Sequence, residues 1–279
     1  MKNQGAEAVA KFVEHDGVRV HVTVIGQGRP VVLLPSVGRS VEDFFELAGL
    51  LVERGCAVLL PTPRGIGEST GPMQGITLHD FALDVAAVIR DHGDAPALVA
   101  GHAFGNWVAR TVATDHPELV NGLAVLAAAH KEFPASLRTV IDSCMNEALP
   151  VEERLTYLRT AFFAAGHEPD QGWLHGWHPA AAKAQRAAAA ATPKAEWWHA
   201  GTGPVLDVQS DDDPFAPASG RHLLQDELLD SSGNTRVTTV LIEDAGHALI
   251  PEQPEAVAEA LAAFLDEIDN KNSNLETTT

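Results

Sequence analysis

Apolar and polar positions alternate at the start of the chain. Residues 12–15 and 18–25, parted by Gly17, follow the two-residue period of a strand with one covered face. Together they predict an antiparallel hairpin. After the turn at Gly26 and Gly28 the pattern changes. Residues 31–34 form a short continuous apolar run, the kind buried on both faces of a sheet. Further strands are expected at 56–60, 96–100, 120–127, 204–209 and 237–242. Helical periods fall between them. One runs over 41–54 with Ser40 as N-cap. Another covers 78–92 and sets Ala82, Val85, Ala86 and Ile89 on one face. Others cover 107–116, 218–229 and 255–268.

The alternation stops once. Residues 131–199 are alanine-rich and helical, interrupted by Gly166, Gly172 and Pro179, and contain no strand pattern. Roughly 70 residues of that kind inside an alternating α/β chain read as an insertion. The expected organisation is one α/β domain over 12–268, a helical cap inserted at 131–200, and a disordered polar tail at 270–279. The insertion carries Trp173, Trp177, Trp197 and Trp198, which would either line an apolar cavity for a small ligand or pack cap against core.

Composition narrows the partners. With 38 acidic and 19 basic residues the formal net charge is −19. Such a field repels nucleic acid and anionic membrane, so neither is expected as a partner. The N-terminal residues lack a signal-peptide core, and no stretch has the apolar length of a membrane span. A cytoplasmic, reducing compartment is therefore expected. Cys56 lies in an apolar run, and neither it nor Cys144 has metal or disulfide spacing. His175 and His178 could share a helical face but have no acidic or cysteine partner there, so no metal is expected. No cofactor is expected either. A small-molecule substrate is the expected partner, and a homodimer is left open.

Three loops carry candidate chemistry. In Gly101-His102-Ala103-Phe104-Gly105 an apolar run ends in two glycines spaced around a single residue, with a helical pattern directly after. That is strand, sharp turn, helix. In a nucleophile elbow this turn holds the central residue on a strained backbone, exposed above the sheet. Here that residue is Ala103. Ser210-Asp211-Asp212-Asp213 closes a later strand, where an aspartate can orient a histidine or three acids can form a solvated turn. Gly246-His247 follows the last strand, either as such a histidine or as a surface one.

The order elbow, Asp, His resembles the α/β-hydrolase fold superfamily. The likeness covers nearly the whole chain. It is carried by the elbow, by Arg64-Gly65-Ile66-Gly67-Glu68-Ser69, by Asp213 with Pro217 four residues on, and by Gly246-His247. It implies a mostly parallel eight-stranded sheet flanked by helices, with a helical cap before the acid-bearing strand. It further implies Asp213 as acid, His247 as base and the Phe104 N–H as one oxyanion donor. The second donor would come from the loop after Leu34. The family usually has His-Gly there and this chain has Pro35-Ser36, so Val37 is the best match and Ser36 the next. Ser36, Trp173 and Trp177 are the expected substrate contacts. Asn106 and Arg39 are expected to cap and tie loops.

Ala103 departs from the family. It has neither a lone pair nor a proton to give, so a covalent acyl-enzyme cannot form on it. Three readings follow: an inactivated form of a serine enzyme, an enzyme in which His247 and Asp213 activate water or take a substrate proton directly, or a binder that has kept only the pocket. Ser36 is a candidate substitute nucleophile or a loop hydroxyl bonded to backbone. The pairing of Asp213 with His247 favours an enzyme acting on a small carbonyl compound such as an ester or lactone. A catalytically inactive binder of a small apolar ligand is the alternative.

Overall fold

A computed structural model describes residues 8–276 except 95, 130, 132–134 and 231. The strands are β1 (Ala8–His15), β2 (Val18–Gly26), β3 (Arg29–Leu34), β4 (Cys56–Pro61), β5 (Ala97–His102), β6 (Val120–Leu126), β7 (Val205–Ser210) and β8 (Val237–Ile242). They form one sheet in the order β1-β2-β4-β3-β5-β6-β7-β8. The hairpin β1–β2 and the β2–β4 pair are antiparallel; every pairing from β4 to β8 is parallel.

Both faces of the parallel part are covered, which explains its apolar runs. Val32 of β3 and Val99 of β5 pack into one layer with α2 (Leu78–His92) and α3 (Phe104–Asp115). Their neighbours Leu33 and Ala100 face the other layer with α1 (Phe45–Glu53) and the closing helix, Pro254–Glu276. Ala82, Val85, Ala86 and Ile89 form the buried face of α2, and Cys56 is buried.

Between β6 and β7 the chain runs through α4 (Ala135–Met145), α5 (Val151–Ala161), α6 (Gln171–His175), α7 (Pro179–Ala191) and α8 (Lys194–Trp197). After β7 come α9 (Leu223–Glu227), then β8, α10 (Leu249–Glu252) and α11 (Pro254–Glu276).

Several sequence expectations need correction. Ser40 makes no side-chain cap bond, because the chain enters α1 through a 3₁₀ turn at Val41–Phe44. The helix expected at 218–229 is broken into a 3₁₀ turn, Ala218–Gly220, and the short α9. There Gln209 Nε2 donates to the Arg221 carbonyl at 2.8 Å, and Arg221 Nη2 donates to the Asp211 carbonyl at 3.0 Å. These bonds to the end of β7 override local helix propensity. The segment 270–279 was expected to be disordered, yet α11 continues to Glu276; residues 277–279 lie outside the described part. Extending a helix already anchored by Leu261, Phe264, Leu265 and Ile268 is far cheaper than nucleating one.

Candidate active site

Pairing of Leu34 with Gly101 brings the loop after β3 against the end of β5. The chain turns there at Ala103, with φ 49° and ψ −111°. For a residue with a Cβ this is a strained conformation, costing about 1–3 kcal/mol. The two flanking glycines make the turn possible by close approach. A Cβ on Gly101 would lie 2.2 Å from the Gly105 carbonyl oxygen, and one on Gly105 would lie 2.2 Å from that of Leu34. Gly105→Ala is therefore expected to cost about 3 kcal/mol or more through backbone overpacking. Urea unfolding measures it, and a loss under about 1 kcal/mol would mean that the Leu34 loop retreats freely.

Hydrogen bonds fix the turn. The Ala103 N–H donates to the Leu126 carbonyl at 3.1 Å, and Asn106 Nδ2 donates to the Ala103 carbonyl. Arg110 Nε in turn donates to Asn106 Oδ1 at 3.0 Å. Across the crevice, Arg39 ion-pairs with Asp43 and donates to the Gly172 carbonyl at 3.2 Å. The Gly38 N–H donates to Gln185 Oε1 of α7 at 2.7 Å. Asn106 and Arg39 thus do the capping and tying that the sequence suggested.

The two later loops meet beside this turn. Of the three aspartates only Asp213 is buried; Asp211 and Asp212 are exposed. Its Oδ1 accepts the Phe215 N–H at 2.8 Å, which leaves Oδ2 to accept His247 Nδ1–H at 2.9 Å. The Phe215 ring lies against the imidazole with centroids 4.3 Å apart. Gly246 permits the approach of this loop, since a Cβ there would lie 2.7 Å from the Phe162 carbonyl oxygen. The Glu252 carboxylate then accepts the N–H groups of both Gly246 (2.8 Å) and Ala164 (2.7 Å). Burial raises the Glu252 carboxyl above its ordinary value, against the lowering effect of those two bonds.

His102, next to the turn residue, reaches the same loop. Its Nε2–H donates to the His247 carbonyl at 2.7 Å. Burial, helped by the neighbouring His247, pushes the His102 imidazole down to about 3. The fold thus holds it neutral, whereas the unfolded chain protonates it near 6.5. This contribution to stability is complete above about 6.5 and drains away as pH falls towards 3, at about 1.4 kcal/mol per pH unit. His102→Gln is expected to flatten the acid limb. Urea midpoints at mildly acidic and neutral pH compare the two slopes, and equal slopes would overturn the assignment.

These groups border a cavity of about 280 Å³. Ser36, Val37, Ala103, Phe104 and His247 all line it, so residues from three separate stretches of sequence converge there. Trp173 and Trp177 do not. They pack in the cluster behind Phe162 under the Arg39 guanidinium, 4.4 and 4.8 Å from its carbon, with only 2% and 6% of their surfaces exposed. The tryptophans in the wall are Trp107 and Trp197, with rings 5.6 Å apart. Trp107 went unnoticed in the sequence although it stands one helical turn past Ala103. Phe162, Phe215 and Ile141 add to the apolar lining and were also missed.

Comparison with known proteins agrees with this architecture. A hydrolase of (E)-2-((N-methylformamido)methylene)succinate from Acinetobacter baylyi is 25% identical over 86% of this chain and 92% of its own length. A soluble epoxide hydrolase from a Corynebacterium species is 33% identical, but over 40% of this chain, and the match spans only 38% of that enzyme. An esterase from Exiguobacterium antarcticum superposes with a TM-score of 0.74 at 19% identity, covering 92% of this chain and all of its own, a likeness of fold. The model of the alpha/beta hydrolase family matches residues 31–260. With the eight-stranded sheet and its flanking helices, that match decides the family: the chain belongs to the alpha/beta hydrolase family.

Proposed function

We propose that the protein transforms a small carbonyl compound, an ester, a lactone or a close analogue, by a route with no covalent enzyme intermediate. The observation that carries this reading is the Asp213–His247 hydrogen bond, buried in the wall of a cavity that also contains Ala103. A carboxylate accepting from Nδ1–H fixes the tautomer and leaves Nε2 as the basic nitrogen.

In the proposed reaction His247 Nε2 takes a proton from water while the water oxygen bonds to the substrate carbonyl carbon. The carbonyl electron pair moves to its oxygen, where the N–H groups of Phe104 and Val37 stabilise the charge. Collapse of the tetrahedral anion breaks the bond to the leaving oxygen, which takes the proton back from Nε2. Asp213 stays ionised throughout and balances the imidazolium. Ser36 supplies a polar contact. The helices between β6 and β7 act as the cap over the substrate, with Trp107 and Trp197 against its apolar part. The hydrolytic names among the relatives support a hydrolytic outcome.

Binding without chemistry is the second reading, favoured by the methyl group of Ala103 where the family places its attacking atom. Assay of p-nitrophenyl esters and lactones, with and without His247→Ala, separates the two. Turnover that depends on His247 and shows no burst supports water activation; saturable binding with no turnover leaves only the binder.

A further inference from the structure

Rings dominate the apolar wall of the cavity. Phe, Trp and Tyr make up 6% of the chain. Yet five of the sixteen described residues that line the cavity are aromatic: Phe104, Trp107, Phe162, Trp197 and Phe215. Among the described residues, the aliphatic side chains larger than alanine in that wall are Val37 and Ile141. A long alkyl chain would meet little of its own kind there.

The five rings divide by what they touch. Phe162 and Phe215 lie against the His247 imidazole, with centroids 5.5 and 4.3 Å from it. Phe104, Trp107 and Trp197 form a row of their own, with successive centroids 5.7 and 5.6 Å apart. The row is backed at both ends. Phe81 meets Phe104 edge-on at 6.2 Å, and Trp198 meets Trp197 at 5.4 Å. This backing holds the row as a wall. Its end members are buried, and Trp107 in the middle is half-buried.

The row begins beside the turn. Phe104 follows Ala103 directly, and Trp107, three residues further, shares its face of α3. Trp107 thus stands about 6 Å along the helix axis from Ala103. A substrate carbonyl beside Ala103 and His247 would lay its next few atoms along these rings. The alanine run of α7 supplies the room, since Ala189 and Ala190 present only methyl groups to the cavity. An apolar protein cavity of about 150 Å³ takes one benzene molecule. At about 280 Å³ this one has space for a ring and a short arm carrying the carbonyl.

We propose that the cavity takes an aromatic ring: the substrate is an aryl or arylalkyl carbonyl compound, its ring against Phe104, Trp107 and Trp197 and its carbonyl beside His247. Contact between rings adds to binding beyond the apolar area removed from water. This substrate class rests on taking the cavity as the active site, and it deepens that reading.

Calorimetric titration with matched neutral pairs tests it. The probes are benzamide and phenylacetamide, each against the amide with a cyclohexyl ring in place of the phenyl. The saturated ring is at least as apolar, so burial of area alone would favour it or leave the pair level. The aromatic member is expected to bind about fivefold more tightly, roughly 1 kcal/mol. In Trp107→Leu, which keeps the wall apolar, the ratio should fall to about twofold or less; in Trp107→Phe, which keeps a ring, it should persist. Ala189→Leu places a good helix former at a half-buried position and should weaken both members about tenfold by occupying the space. Saturated members that bind as well or better, no binding of either member at millimolar concentration, a ratio unchanged in Trp107→Leu, or binding indifferent to Ala189→Leu would each overturn the proposal. If a variant fails to fold, the pairs measured on the parent protein decide it. Ring preference without His247-dependent turnover of aryl esters would sink the catalytic reading alone. His247-dependent turnover of aliphatic esters with no ring preference would sink the substrate class alone.

Discussion

Replacing His247 with alanine is expected to lower the turnover of an ester or lactone by about 10²–10⁴-fold, the usual contribution of a positioned general base. The loss should fall on kcat, because the imidazole accepts a proton only as the transition state forms. Asp213→Asn should approach the same loss by a different physical route. The Asp213 carboxylate can only accept, so it holds the proton on Nδ1. A carboxamide can donate there instead and stabilise the other tautomer, which puts the proton on Nε2 and removes the base. Steady-state kinetics on both variants, with circular dichroism to confirm the fold, provide the check. Retention of parental kcat to within a few-fold in His247→Ala would show that this imidazole is not the base.

Ala103→Ser should have the opposite sign. The backbone already holds this residue at φ 49° and ψ −111°, and the methyl lines the cavity together with His247. A hydroxyl placed there could pass its proton to Nε2 and attack the carbonyl carbon. The reaction then becomes acyl transfer followed by deacylation. Removing the serine from a mature protease costs about 10⁶ in kcat. A site whose remaining parts work with water should recover less, and a gain on the order of 10²–10⁴-fold is expected for p-nitrophenyl esters. The accompanying signature is a burst of one p-nitrophenol per protein molecule and stoichiometric labelling by a fluorophosphonate, both absent from the parent. A variant that folds but shows neither would mean that the turn does not aim its side chain at a bound carbonyl.

Much of this architecture could be read from the residues, for identifiable reasons. The helix at 78–92 and the strand at 237–242 match their expected limits. In the first, an apolar face with 3.6-residue spacing agrees with a capping box at Thr77 and Asp80 and a left-handed Gly93 at the end. The site was legible where covalent geometry constrains residue choice, as at Gly101, Gly105 and Gly246, or where chain order restricts the partners, as for Asp213 and His247. It was not legible where the outcome depends on which way a side chain turns within a packed layer. Trp173 and Trp107 are equally apolar in sequence. Only the packing of α6 beneath Arg39 directs the first away from the cavity, and only the pitch of α3 directs the second into it. Glu252 left no pattern at all, because it binds backbone N–H groups and any residue but proline can supply those.

That carboxylate has a consequence for changing specificity. One oxygen of Glu252 holds the backbone just before His247, while the other holds the chain between α5 and α6. The Ala248 N–H also donates to the Phe162 carbonyl, at 2.6 Å. Any segment grafted between β6 and β7 from a relative must therefore present a main-chain donor and acceptor at the places of Ala164 and Phe162. A transplant chosen only to fit a new ligand would set the imidazole adrift, and would be read as poor substrate choice when the fault was a lost splint.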